Sequence, residues 1–132
     1  MPSIFEELWI FSHEGAPLIE IFHSSNIHTE LIAPFLSAIE SFSKELTGQR
    51  LESITMGDHK FVLATCLNEN ILLVSVCNIK VKDKLIKNMF KIMANYFEEM
   101  YTIDDIKNWN GDLSLFDKYK DRIELYLKMS DL

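Results

Sequence analysis

Glycine and proline are scarce. Four Gly and three Pro in 132 residues leave little room for long linkers, and no internal repeat or low-complexity tract interrupts the chain. It therefore reads as a single domain, residues 1–132, long enough to bury a core without metal or disulfide support. Two Cys with no secretion signal argue against a disulfide scaffold and point to a reducing interior. No apolar run approaches the roughly 18 residues a membrane helix needs. The N-terminus lacks the basic, apolar and small-residue succession of a signal peptide. Pro2 stands where myristoylation needs Gly, and the tail MSDL holds no Cys for prenylation. The expectation is a cytoplasmic protein with no integral membrane segment. A net charge of −7 argues against nucleic acid and anionic membranes, both of which want clustered Lys and Arg. It permits a basic partner.

Chemistry is missing in the same way. Gly15, Gly48, Gly57 and Gly111 stand alone, so neither GxxxxGK[ST] nor GxGxxG occurs and no phosphate-cradling loop is present. His13, His23, His28 and His59 form no HxxxH or HExxH pattern, and a metal needs three or four converging ligands. Cys66 and Cys77 sit inside apolar runs, where a thiol behaves as a small hydrophobe rather than a nucleophile. The adjacent carboxylates Asp104 and Asp105 suit the first turn of a helix, and nothing supports Glu98 and Glu99 as an acid–base pair. No metal, cofactor or enzymatic activity is expected.

What is present centres on HKFVLATCLNENILLVSVCN, residues His59–Asn78. Two short runs rich in Val, Ile and Leu, Phe61–Leu67 and Ile71–Cys77, flank the polar trio Asn68-Glu69-Asn70. That pattern predicts two central antiparallel strands buried on both faces. Pairing Leu67 with Ile71 puts Val62, Ala64, Cys66, Leu72, Val74 and Val76 on one face. Phe61, Leu63, Thr65, Leu67, Ile71, Leu73, Ser75 and Cys77 then take the other, with the cysteines on opposite sides.

Around this hairpin the chain predicts strands over Ile4–Phe11 and Ala16–Phe22, the second an edge strand because Pro17 opens it. A helix follows from an N-cap at Thr29 to a C-cap at Gly48. Leu31, Ile32, Phe35, Leu36, Ile39, Phe42 and Leu46 form its apolar stripe, and Glu40, Ser41, Lys44 and Glu45 its solvent side. Arg50–Met56 is a weaker strand at the other edge. Asp83–Tyr101 is a helix whose apolar set is too wide for one stripe and needs cover on more than one side. Thr102-Ile103-Asp104-Asp105 starts a short helix, and Ser114-Leu115-Phe116-Asp117 caps a last helix ending near Lys128. Core packing accounts best for the aromatic and Met residues of the C-terminal half. Contact of Tyr96, Met100, Tyr101 or Trp109 with a partner is the competing reading.

These phrases resemble a known family. LWIFSHEGAPLIEIF, ELIAPFLSAIESFSKEL and SITMGDHKFVLATCLNENILLVSVCN resemble, in order, the opening hairpin, the helix and the three-strand run of longin domains, over about residues 4–101. WNGDLSLF is similar to a stretch in stand-alone archaeal longin-like proteins. The resemblance implies an α/β (α+β), profilin-like fold of topology β-β-α-β-β-β-α. Its five-stranded antiparallel sheet would have order 2-1-5-4-3, with helices on both faces and residues 101–132 as a helical extension. Related roadblock domains open with a helix, so the opening hairpin favours longin. Both groups commonly dimerise and act as platforms for small GTPases or vesicle-trafficking complexes. A small GTPase or another longin or roadblock protein is the implied partner, in a homo- or heterodimer. The SNARE branch implies a coiled coil after the domain, and the chain ends at Leu132 without one, so membrane fusion is not expected.

An interface is expected along the third strand (Leu51, Ser53, Met56) and the outward side of the first helix (Glu40, Ser41, Lys44), because an edge strand offers unpaired backbone groups. The alternative is a PAS-like small-molecule sensor, with Phe90 and Phe97 bounding a pocket of a few hundred Å³ against the sheet.

Overall fold

The computed structural model describes residues 4–12, 15–21, 29–49 and 52–130, the side chains of 29–33 excepted. His13, the connector carrying His23 and His28, and Arg50 and Leu51 of the expected third strand lie outside the described residues, as do the side chains of Leu31 and Ile32. The elements are β1 (Phe5–Ser12), β2 (Pro17–Ile21), α1 (Thr29–Thr47), β3 (Ser53–Met56), β4 (His59–Cys66), β5 (Ile71–Asn78), α2 (Asp83–Met100), α3 (Ile103–Lys107), a 3₁₀ turn (Leu113–Phe116) and α4 (Asp117–Ser130). The strands form one antiparallel sheet of order β2-β1-β5-β4-β3. Pro17 does open an edge strand, and the hairpin of β4 and β5 lies inside the sheet.

Each face of the sheet has its own core. Leu8, Ile10, Val62, Leu73 and Cys77 pack with Ile86, Phe90, Met93 and Phe97 of α2 and with the tail. On the opposite face Trp9, Phe11, Phe61, Leu63, Val74 and Val76 gather around Leu36 of α1. The two turns that set these registers differ in kind. Met56 pairs with His59, leaving the two-residue loop Gly57-Asp58. Its first position needs the positive φ that Gly57 supplies at 64°.

The β4–β5 turn departs from expectation. Cys66, not Leu67, pairs with Ile71, so the loop has four residues, Leu67 to Asn70. Leu67, Asn68 and Glu69 all adopt left-handed backbone with φ of 54°, 55° and 69°, and Asn70 N and Nδ2 donate to Leu67 O at 3.2 and 2.9 Å. A slip of one residue turns every β5 side chain to the other face. Cys66 and Cys77 therefore share the α2 face, with Val62, Ala64, Ile71 and Leu73. They remain free thiols at opposite ends of the ladder.

Helix α1 also departs from its pattern. Leu36 is fully buried, with Ile39, Glu40 and Ser43 half-buried. Phe35, Phe42 and Leu46, about a quarter turn round the helix, are 43%, 61% and 68% exposed. The apolar stripe is thus rotated off the sheet. Gly48 ends the helix as expected, its N–H donating to Lys44 O at 2.7 Å with φ of 72°.

The C-terminal half is mainly core. Tyr119 Oη donates to Met93 O at 2.7 Å and Tyr101 Oη to Leu115 O at 2.8 Å. Phe97, Tyr101, Phe116 and Tyr119 form one aromatic cluster, with Trp109 edge-on to Phe116. Tyr101 and Trp109 are thereby turned inward, while Tyr96 stays half-buried, edge-on to Tyr126. The short helix α3 starts where expected, and Thr102 and Asp105 cap it reciprocally. The second cap is displaced: the Asp112 carboxylate accepts the Ser114 N–H at 3.0 Å, and Ser114 lies inside the 3₁₀ turn. An Asp two residues before a backbone N–H competes well for it, which the Ser-x-x-Asp pattern concealed. Cover of α2 by sheet and α4 is incomplete, since Leu85 and Ile92 remain exposed.

Candidate interaction surface

Strand β3 is short, and its far side pairs with no other strand among the described residues. Ser53 and Met56 are both exposed, with Met56 and half-buried Ile54 on the α1 face by alternation. Lys87 of α2 reaches Glu52, just before β3, at 3.0 Å. On α1, Ser41 and Lys44 are exposed, whereas Glu40 is half-buried and pairs with Lys44 at 3.7 Å. The described α1 members of the expected set thus differ in exposure. Ser41 and Lys44 point to solvent on the polar side, and Glu40 turns toward the sheet edge.

There Glu40 and Glu52 both line a cleft of about 390 Å³ with Leu63, Leu72, Phe90 and Lys91. The cleft brings α1 and the lead into β3 together. It is open and wraps the end of β4, instead of lying enclosed against the sheet. Of the two residues expected to bound a ligand pocket, Phe90 lines it and Phe97 is buried in the aromatic cluster.

Phe42 and Leu46 are the surface residues that sequence reasoning misassigned. Their helical spacing was visible, but spacing alone cannot separate a stripe facing the sheet from one facing away.

The titratable groups show no catalytic arrangement among the described residues. His59 lies between two carboxylates, Nε2 at 2.9 Å from Glu6 and Nδ1 at 2.8 Å from Asp58, all three partly exposed. Burial, with a smaller push from Glu98, raises the Cys66 thiol to about 12. Burial also raises Cys77, against the pull of Ser75 and Lys60, so neither is a ready nucleophile. No three His, Cys, Asp or Glu side chains among the described residues are placed to hold a metal ion. No described helix is long and apolar enough to cross a membrane.

No family model matches the chain, and no curated protein matches it. Solved structures do. Myxococcus xanthus MglB superposes with a TM-score of 0.55 at 13% identity, over 72% of this chain and 85% of that one. A Roadblock/LC7 domain from Streptomyces avermitilis superposes with a TM-score of 0.59 at 8% identity, over 74% of this chain and 85% of that one. With its 2-1-5-4-3 antiparallel sheet and a helix on each face, the chain has the longin-like fold shared with roadblock domains.

Proposed function

We propose that this chain is a non-catalytic interaction module that dimerises and binds or regulates a small GTPase or a trafficking-type complex. The observations that carry the reading are the β3 edge, whose far side pairs with no described strand, and an apolar stripe left exposed on α1 (Phe35, Phe42, Leu46). Exposed aliphatic and aromatic residues in line on a helix are what a second subunit removes from water. An edge strand supplies backbone donors and acceptors for its counterpart. Leu51, Ser53 and Met56 would lie along that edge, with Glu40, Ser41 and Lys44 at the rim on α1. The small GTPase is supported by the longin resemblance and by the fold shared with MglB and the roadblock domain.

Sedimentation velocity of the intact chain at micromolar concentration tests the first part, with a dimer expected and Phe42→Asp with Leu46→Asp giving a monomer. Affinity capture with small GTPases in their two nucleotide states tests the second. A wild-type monomer that captures none of them would defeat the reading.

A second reading, a small-molecule sensor, rests on the cleft of about 390 Å³ beside Phe90. A ligand-dependent rise in melting temperature that Ala94→Trp abolishes would favour it.

A further inference from the structure

The basic residues of this acidic chain are not spread evenly. Residues 80–91 hold five lysines (Lys80, Lys82, Lys84, Lys87 and Lys91) against one acid, Asp83, a local charge of +4 in a chain of net −7. All five are exposed. The acid is already engaged from within: Lys60, itself buried, donates to Val81 O and pairs with Asp83 at 2.5 Å. Lys87 is paired with Glu52. Lys80, Lys82, Lys84 and Lys91 have no acidic partner among the described residues. Two of them stand where a helix disfavours cations. Lys82 is the N-cap of α2, with no side-chain capping bond, and Lys84 is in its first turn. Helix stability therefore does not explain them.

Aliphatic residues are set among these charges. Ile79, Leu85 and Ile92 are 43%, 46% and 37% exposed. Lys84 and Lys91, seven residues apart, lie on one line of the helix, and Leu85 and Ile92 lie on the next. The loop leading in is held firm, by Ile79 N to Asp58 O at 2.8 Å, Val81 N to Asn78 O at 3.0 Å and Lys80 N to Asn78 Oδ1 at 2.9 Å.

We infer that this face of α2 and its leading loop docks on an anionic lipid bilayer, the lysines in the headgroup layer and Ile79, Leu85 and Ile92 against its apolar edge. The composition selects this occupant. Protein interfaces favour Arg and aromatics and are depleted in Lys, and nucleic-acid sites use Arg forks and stacking rings. Residues 80–91 contain no Arg, and their one aromatic, Phe90, is buried. Lysines beside partly exposed aliphatics match a surface that asks for charge and shallow insertion without bidentate geometry. Net charge had argued against such binding. The field a bilayer meets is local, because charges beyond about 8–10 Å are screened.

Vesicle co-sedimentation of the full chain tests the inference, with phosphatidylcholine alone and with about 30 mol% phosphatidylserine added. Binding is expected only with the anionic lipid, weakening as salt rises. Lys80→Glu, Lys84→Glu and Lys91→Glu together should reduce it roughly ten-fold or more. Leu85→Ser with Ile92→Ser should reduce it roughly three-fold. The milder Lys84→Ala with Lys91→Ala serves should the charge reversal misfold. Circular dichroism and oligomeric state should match wild type in every variant used, which separates this test from that of dimerisation. Absence of wild-type binding to the anionic vesicles would overturn the inference, as would charge-reversed protein binding them unchanged. Lysine-dependent binding to soluble poly-glutamate with vesicles ignored would also overturn it and reassign the patch to an acidic protein.

Discussion

Glu98, on the exposed side of α2, accepts the backbone N–H of Leu67 at 3.0 Å. The bond ties the helix to the first residue of a turn in which three successive non-glycine residues are left-handed, a conformation that needs outside support. Glu98→Ala should lower unfolding free energy by about 1 kcal/mol, the usual net value of such a bond at a partly wet site. Glu98→Gln, which keeps an acceptor, should lose less. Urea denaturation measures the loss, and hydrogen exchange at the Leu67 amide should quicken in the Ala variant. An unchanged amide would show that the turn is held by other means.

Lys60 is the second staple. Its ammonium joins β4 to Val81 O and to Asp83 at the head of α2. Lys60→Met keeps the apolar stem and removes the charge. Because Asp83 is half-exposed and can be rehydrated, the expected cost is about 1–2 kcal/mol, less than for a fully buried pair. Thermal unfolding reads it, and exchange of the 79–82 amides should rise in parallel.

A buried thiol and a buried phenol give a pH signature. Burial raises the Cys66 thiol from its ordinary 9.0 to about 12, and burial also pushes the Tyr119 phenol upward. A group whose folded pKa is raised contributes stability that is fully present below its unfolded pKa and is lost as pH climbs to the folded one. Stability should therefore hold up to pH 9.0 and fall between 9.0 and about 12. Native protein at neutral pH should react with a thiol-specific reagent only on unfolding. Rapid native labelling of both cysteines would contradict the burial.

Leu36 and Leu46 lie on one helix and should respond differently. Leu36 is fully buried between α1 and the sheet, so Leu36→Ala should cost about 2–5 kcal/mol. Leu46 is 68% exposed, and Leu46→Ala should change the stability of the isolated chain by no more than about 0.5 kcal/mol. Denaturation at concentrations low enough to hold a monomer makes the comparison. A large loss at Leu46 would place the apolar stripe back against the sheet.

Much of the architecture was legible in the residues. Pro17 marked an edge, Thr102-Ile103-Asp104-Asp105 the start of a short helix, and the Val- and Leu-rich runs the middle of the sheet. The errors share a cause. Register depends on whether Leu67 belongs to strand or turn, and in the fold its N–H is held by a carboxylate 31 residues away, which the local pattern does not contain. The rotation of α1 depends on how the sheet meets the helix, which its own periodicity does not contain. Lys60 gave no signal either, since its partners, Val81 O and Asp83, are brought to it only by β5 and the loop. At the candidate surface, edge strand β3 could be named in advance. The exposed Phe42 and Leu46 could not, because they obey the same spacing as buried residues.

The antiparallel run of β3 has a geometric corollary. Two copies joined antiparallel along that strand would be related by a two-fold axis perpendicular to the sheet, forming a ten-stranded slab in which neither layer is exchanged. Both α1 helices would then lie on one side, and both lysine-bearing α2 helices on the other. Such a particle has two unlike faces, and whatever meets one of them meets it twice.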